Sequence, residues 1–166
     1  MNKEMIASYW QDHISQKVLD AFLSVPREEF VLPELRMRSY EDKPLPIPRG
    51  KTISQPSTVL IMTEALELEK GQHVLEVGSG SGYQSAIIAR LIDPGTLISV
   101  EVLPELVQFS RNNLTRTGIK NVLAIESDGS QGYAEKAPYD RIIVTAAMPS
   151  ISPMLLNQLK DGGMLV

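Results

Sequence analysis

The chain predicts an α/β fold with a doubly wound, mostly parallel sheet, and three observations predict it. From residue 57 onward, apolar runs of strand length alternate with segments of helical periodicity, the pattern that builds a parallel sheet with helices on both faces. Runs such as Val122-Leu123-Ala124-Ile125 and Ile142-Ile143-Val144 are continuously apolar, as strands buried on both faces should be. The third observation is Glu76-Val77-Gly78-Ser79-Gly80-Ser81-Gly82, an apolar run that breaks into glycines at every second position before a helical pattern resumes.

In chain order, Ile14, Val18, Leu19, Phe22 and Leu23 recur at helical spacing. That helix stops at Val25-Pro26, because the residue before a proline is pushed out of the α region. Residues 27–56 carry Pro33, Pro44, Pro46, Pro48, Pro56 and Gly50, which predicts a long irregular stretch; loops of that length in a compact domain are usually functional or disordered. Leu45, Ile47 and Ile53 are interleaved with the prolines, so an ordered covering segment is expected in place of a free tail. Then follow a helix over 57–68 with Ser57 as its cap, strand 74–77, helix 83–92, strand 97–102, helix 104–117, strands 122–126 and 140–145, helix 153–160 and strand 164–166. Pro104 and Pro153 fall in first helical turns, where proline is tolerated. The chain reads as one domain over 1–166, with a helix and covering segment in 1–56 and the α/β core in 57–166.

Composition narrows the function classes. The 166 residues, 43% hydrophobic and 22% charged, suit a single globular domain. Net charge is −4 and no Lys/Arg run exceeds two residues, so the basic footprint of a nucleic-acid binder is missing and nucleic acid is a disfavoured partner. Cysteine is absent, which excludes disulfides and thiolate metal sites. Met1 to Asp12 has no apolar core of signal-peptide length, and nowhere do ~18 apolar residues run together, so no membrane partner and a cytoplasmic location are expected. His13 and His73 are solitary; no metal cluster is expected, and neither is spaced to activate a serine.

The glycine run points to a ligand. Glycine tolerates positive φ and lets backbone amides touch what is bound, and the helix start after it offers unpaired N–H groups. Alone, Gly-Ser-Gly-Ser-Gly also reads as a flexible loop tip. Glu101, however, ends the next strand about 20 residues on, where such folds bind a ribose diol. Tyr83 stands where a dinucleotide fingerprint wants glycine; Gly78, Gly80 and Gly82 after Glu76 resemble the first motif of the class I S-adenosylmethionine-dependent methyltransferases. Ligands in open α/β sheets sit beyond the carboxyl ends of strands, so Asp128-Gly129 and Thr145-Ala146-Ala147 join the candidates. Asp128 is placed to meet an adenine amine, although Asp-Gly is also a favoured turn pair; Thr145 also reads as a packing residue. Thr52-Ile53-Ser54-Gln55-Pro56 should flank the crevice from the side, and any chemistry of Ser54 is hydrogen bonding.

Beyond the glycine motif, Val25-Pro26-Arg27-Glu28-Glu29-Phe30-Val31, Tyr40 to Ile47, Thr52 to Pro56 and Pro138 to Ala147 closely resemble, in order, the protein-L-isoaspartate O-methyltransferases. The resemblance implies a Rossmann-like sheet, S-adenosyl-L-methionine as cofactor with S-adenosyl-L-homocysteine as product, and isoaspartyl proteins and peptides as substrates for repair through a succinimide. It implies Ser54 as the active-site hydroxyl and Thr52, Ile53, Ser54, Glu76, Gly78, Ser79, Gly80, Gly82, Glu101, Val102, Asp128 and Gly129 as cofactor contacts. Pro48 and Lys51 stand where the family commonly has glycine and glutamine. The chain stops in its fifth core strand whereas the family continues, so the family's C-terminal strands are expected to be absent, leaving an edge strand and a monomer or weak dimer. The rival readings are a methyltransferase for a nucleobase such as a transfer-RNA adenine, and a cofactor-binding fragment without turnover.

Overall fold

The computed structural model describes residues 2–166. Two helices, α1 (Lys3–Trp10) and α2 (Gln16–Ser24), open the chain. Short 3-10 turns over Arg27–Glu29 and Pro33–Arg38 lead to a hairpin of β1 (Leu45–Ile47) and β2 (Lys51–Ile53). The core then runs α3 (Pro56–Ala65), β3 (His73–Val77), α4 (Tyr83–Ile92), β4 (Thr96–Glu101), α5 (Pro104–Arg116), β5 (Val122–Glu126), β6 (Tyr139–Val144), α6 (Pro153–Leu156) and β7 (Leu159–Leu165).

The five core strands pair in parallel in the order β5-β4-β3-β6-β7. Successive connections run outward from β3 to β5 and then return to β6 on its other side. The strand order therefore reverses at β3, the place where this architecture opens a crevice at the carboxyl ends. Strand alternation divides the core. Val74, Leu97 and Ile143 pack with Ile88 and Ile92 of α4 on one face, while Leu75, Val77, Ile98, Val100 and Ile142 pack with Leu155 of α6 on the other.

The proline-rich stretch is ordered, and its apolar residues explain why. Phe30, Val31, Leu45, Ile47 and Ile53 are buried in one cluster with Val18 and Phe22 of α2 and Tyr83 and Ile87 of α4. The hairpin within it, where the prolines predict irregular chain, has only three residues per strand; Pro46 points outward between buried Leu45 and Ile47. Its turn holds Arg49 at φ 63°, a left-handed conformation uncommon outside glycine, with Gly50 following at φ 65°.

Several sequence expectations are corrected. Helix α1 was not expected; Asn2 caps it by accepting from Met5 N–H. Ser57 does not cap α3: its own N–H donates to Asp42 Oδ1 at 2.9 Å, so the cap comes from the covering segment. Helix 153–160 shrinks to Pro153–Leu156, because the buried Gln158 side chain turns inward to accept from Tyr133 N–H and donate to Gln131 O at 2.8 Å each. Strand 164–166 lengthens to Leu159–Leu165, with a register jump opposite Tyr139 and Arg141; the polar Lys160-Asp161-Gly162-Gly163 insert hides this strand in the sequence. β7 forms one edge of the sheet. Among the described residues, no helix is long and apolar enough to cross a membrane.

Leu75 is fully buried in the central strand, between Ile98 on β4 and Ile142 on β6. Leu75→Ala is expected to cost about 3–4 kcal/mol in urea-induced unfolding, the range for a large-to-small change where the surroundings cannot collapse.

Candidate cofactor and substrate cleft

A cleft of about 400 Å³ opens over the carboxyl ends of β3, β4 and β6, within the range of small-molecule sites. The backbone from Gly78 to Ser81 forms its floor, Glu101 and Val102 one rim, Thr145, Ala146 and Ala147 another, and the hairpin exit Lys51-Thr52-Ile53-Ser54 its side wall.

The floor is pinned from both neighbouring strands. Gly78 N–H donates to Val100 O at 2.8 Å. On the other side Thr145 N–H donates to Val77 O at 2.9 Å, and its hydroxyl to Gly78 O at 2.7 Å. Gly78 adopts φ +100°, and a Cβ there would lie 2.9 Å from Ala146 Cβ and 3.1 Å from Thr145 Oγ1, so both conformation and space require glycine. Farther along, Asn113 Nδ2 of α5 donates to Ser81 O at 2.9 Å, and α4 begins at Tyr83 with its first amides free of helical partners. Ser79 has a buried hydroxyl with no partner among the described residues, a donor held in the floor for something to accept.

Glu101 is held ready at the rim. Its two oxygens accept from Gly80 N–H and Leu103 N–H, each at 3.2 Å, which fixes the carboxylate while leaving lone pairs for further donors. Val102 beside it is 62% exposed, an apolar surface open to a flat group. Opposite, Ile53 is buried and anchors the wall. Ser54 is only partly buried; its carbonyl accepts from Arg27 Nη2 at 2.7 Å, and its hydroxyl makes no hydrogen bond among the described residues.

Thr52, Ile53, Ser54, Gly78, Ser79, Gly80, Glu101 and Val102 thus line one cleft. Glu76 does not, which corrects its expected cofactor contact. Its side chain is fully buried on the α4 face of β3, where it accepts from the hydroxyls of Ser85 on α4 and, at 2.5 Å, Ser99 on β4. Its other oxygen has no partner among the described residues. Asp128, Gly129 and Gly82 are also outside the lining. Gly82 adopts φ +83° as the N-cap of α4. Asp128 is exposed and caps the turn after β5 by accepting from Ser130 N–H at 3.0 Å, the bond that lowers its carboxyl from the usual range. Gly129 packs against Val77, where a Cβ would collide with a methyl of that valine.

Thr58 and Met62 of α3 and Gln84 of α4 line the cleft unforeseen. Gln84, which donates to Thr63 Oγ1 at 2.8 Å, had a signal: it is a polar residue in the first turn after the glycines. Among the described residues, no three His, Cys, Asp or Glu side chains converge to hold a metal.

Comparison with known proteins follows the same line. The family model described as protein-L-isoaspartate(D-aspartate) O-methyltransferase matches residues 1–166. A protein-L-isoaspartate O-methyltransferase of Methanopyrus kandleri is 53% identical over 154 residues, covering 92% of this chain and 68% of that protein. A solved protein-L-isoaspartate O-methyltransferase superposes with a TM-score of 0.89 at 34% identity, over 99% of this chain and 54% of the other, so the chain spans about half its length. A Plasmodium falciparum protein assigned the same activity, solved with S-adenosyl-L-homocysteine, superposes with a TM-score of 0.86 at 26% identity, over 99% of this chain and 83% of its own.

Burial pushes the Glu76 carboxyl up to about 7; the two serine hydroxyls oppose the rise and the charge of Glu101 adds to it. The folded state therefore keeps this proton after the unfolded chain, with its carboxyl near ~4.3, has lost it. The acid's contribution is complete at pH below that value, declines as pH rises toward about 7, and is level above. Glu76→Gln should match the parent near pH 4 and become progressively more stable than it up to about pH 7, by on the order of 3–4 kcal/mol. Calorimetric melting across that window checks this; a stability gap independent of pH would show that Glu76 keeps one charge state throughout.

Proposed function

Because the chain belongs to the protein-L-isoaspartate(D-aspartate) O-methyltransferase family, we propose that it transfers a methyl group from S-adenosyl-L-methionine to the free α-carboxylate of L-isoaspartyl residues in damaged proteins and peptides. The observation that carries this reading is the placement of Ser54, the Gly78–Ser81 floor and Glu101 around one cleft. The residues present fit the cofactor: within the cleft the Ser79 hydroxyl is a buried donor with no partner among the described residues, and the Glu101 carboxylate is an acceptor with lone pairs to spare. Gly78 to Gly82 would hold the methionine end, Glu101 the ribose hydroxyls, and Asp128-Gly129, at the end of the neighbouring strand, the adenine.

When bound, S-adenosyl-L-methionine supplies an electrophilic methyl on a sulfonium sulfur and leaves as S-adenosyl-L-homocysteine. The chain's own work is alignment. A substrate carboxylate with a pKa near ~4 is already ionised at neutral pH, so no protein base is required. The Ser54 hydroxyl donates to one carboxylate oxygen and leaves the other directed into the cleft. The covering segment keeps water away, which matters where opposite charges neutralise each other, and holding the reactants in register provides the larger share of the acceleration. The released ester expels methanol as the neighbouring backbone nitrogen closes a succinimide, which reopens partly to normal aspartate.

In this reading residues 1–56 and 57–166 act as one domain, a cytoplasmic monomer or weak dimer that takes isoaspartyl polypeptides and no nucleic acid. Methyl transfer to an isoaspartyl peptide, its normal aspartyl twin and bulk transfer RNA tests it: labelling is expected on the first alone, and equal labelling of the twin would end the repair assignment. Ser54→Ala should lower kcat about 10- to 100-fold, the worth of one hydrogen bond to a charged group, with cofactor affinity nearly unchanged; an unaltered rate removes the serine from the mechanism. Glu101→Gln, which keeps an acceptor oxygen for the Gly80 and Leu103 N–H groups, should weaken S-adenosyl-L-homocysteine binding about tenfold or more by calorimetry, as expected when a charged hydrogen-bond acceptor is lost; an unaltered Kd refutes its ribose role.

A further inference from the structure

Arg27 is the largest fully buried side chain in the protein, and it forms no salt bridge among the described residues. Burial accordingly lowers its guanidinium from the ordinary value, with the hydroxyls of Tyr83 and Tyr40 opposing the shift. Its partners are backbone carbonyls and a ring. Nε donates to Ser39 O at 2.6 Å and Nη2 to Ser54 O at 2.7 Å, while Cζ stands 4.8 Å from the centre of the Tyr83 ring. Tyr83 is the first residue of α4, immediately after Gly82, and is itself wedged edge-on against Phe30 at 5.5 Å. The remaining nitrogen, Nη1, has no partner among the described residues.

A buried cation with no carboxylate in bonding range, Asp42 acting on it only through space, weakens a fold unless geometry requires it. Here the planar fork does what a lysine cannot: it grips carbonyls from two loop segments while its face lies on an aromatic ring. One of those carbonyls belongs to Ser54, which lines the cleft, and the ring belongs to the helix that follows the cleft floor. We propose that Arg27 is a positioning residue that locks Ser54 onto the start of α4, so that the wall carrying the hydroxyl and the glycine floor move as one body. The proposal rests on the role given to Ser54 above. Arg27 is outside the cleft lining, so its effect passes through the Ser54 backbone, whose orientation sets where Oγ points.

A double-mutant cycle separates this from general support of the fold, because groups acting through one another are non-additive whereas independent ones add. Turnover of an isoaspartyl peptide is measured for the parent, R27K, S54A and the pair. R27K is expected to lower kcat about tenfold with peptide KM within about threefold, and to change kcat less than about twofold when Ser54 is already alanine. The same loss in both backgrounds overturns the proposal, as does no loss in R27K alone. A second readout needs no activity: the backbone order parameter of Ser54 should drop in R27K from the rigid range near ~0.85 toward ~0.6, with the β3 residues unchanged. An unchanged Ser54 order parameter also overturns it. Should R27K not fold, Y83L removes the ring and leaves the guanidinium in place, and is expected to give the same non-additivity with S54A. Failure of the Ser54 reading is seen separately, as an S54A protein as fast as the parent, and it takes this proposal with it.

Discussion

The cleft depends on Gly78. β3 must continue far enough to hydrogen-bond β4 on one side, at Val100, and β6 on the other, at Thr145, yet its chain must leave the sheet at the next residue to make a floor. Only a residue without Cβ can do both while Ala146 and Thr145 press from the β6 side. With that turn in place, Gly80 comes within reach of Glu101 and α4 starts directly behind the floor. A larger residue would push β6 away from β3, and the crevice created by the reversal in strand order would lose one wall.

Much of this was legible in the sequence, for a physical reason. β3, the glycine run and α4 are local structures whose limits are marked by abrupt changes of residue type, and α4 begins and ends at the expected residues, Tyr83 and Ile92. The Thr52–Pro56 motif pointed to Ser54 and the distance past the glycines to Glu101, and both line the cleft. What was illegible depends on partners distant in the chain. Helix α1 buries only Ile6 and Ala7 and exposes Met5 and Tyr9, so its apolar residues mark no single face. The hairpin strands are too short for alternation to register.

Glu76 shows how a motif and a side-chain direction can part company. Alternation along β3 places it on the face of Val74, toward α4, and the register sets it opposite Ser99. The acid therefore supports the floor from below, joining β3, β4 and α4 through two serine hydroxyls, while Glu101 takes the half-buried rim position at the next strand end. The family signature recorded an acid; the pleat decided what it touches.

The Asp42 contact with Ser57 has a further reach. Helix α3 starts with proline and has no capping side chain at its own N-cap, Gln55, so its first turn borrows a carboxylate from the segment that covers the cleft. Any breathing that lifts the segment also strips the helix of an interaction worth about 1 kcal/mol. Loosening of the segment around Asp42 and fraying of the first turn of α3 are therefore a single thermodynamic event, and the Ser57 amide, one residue before the cleft-lining Thr58, is where solvent registers it.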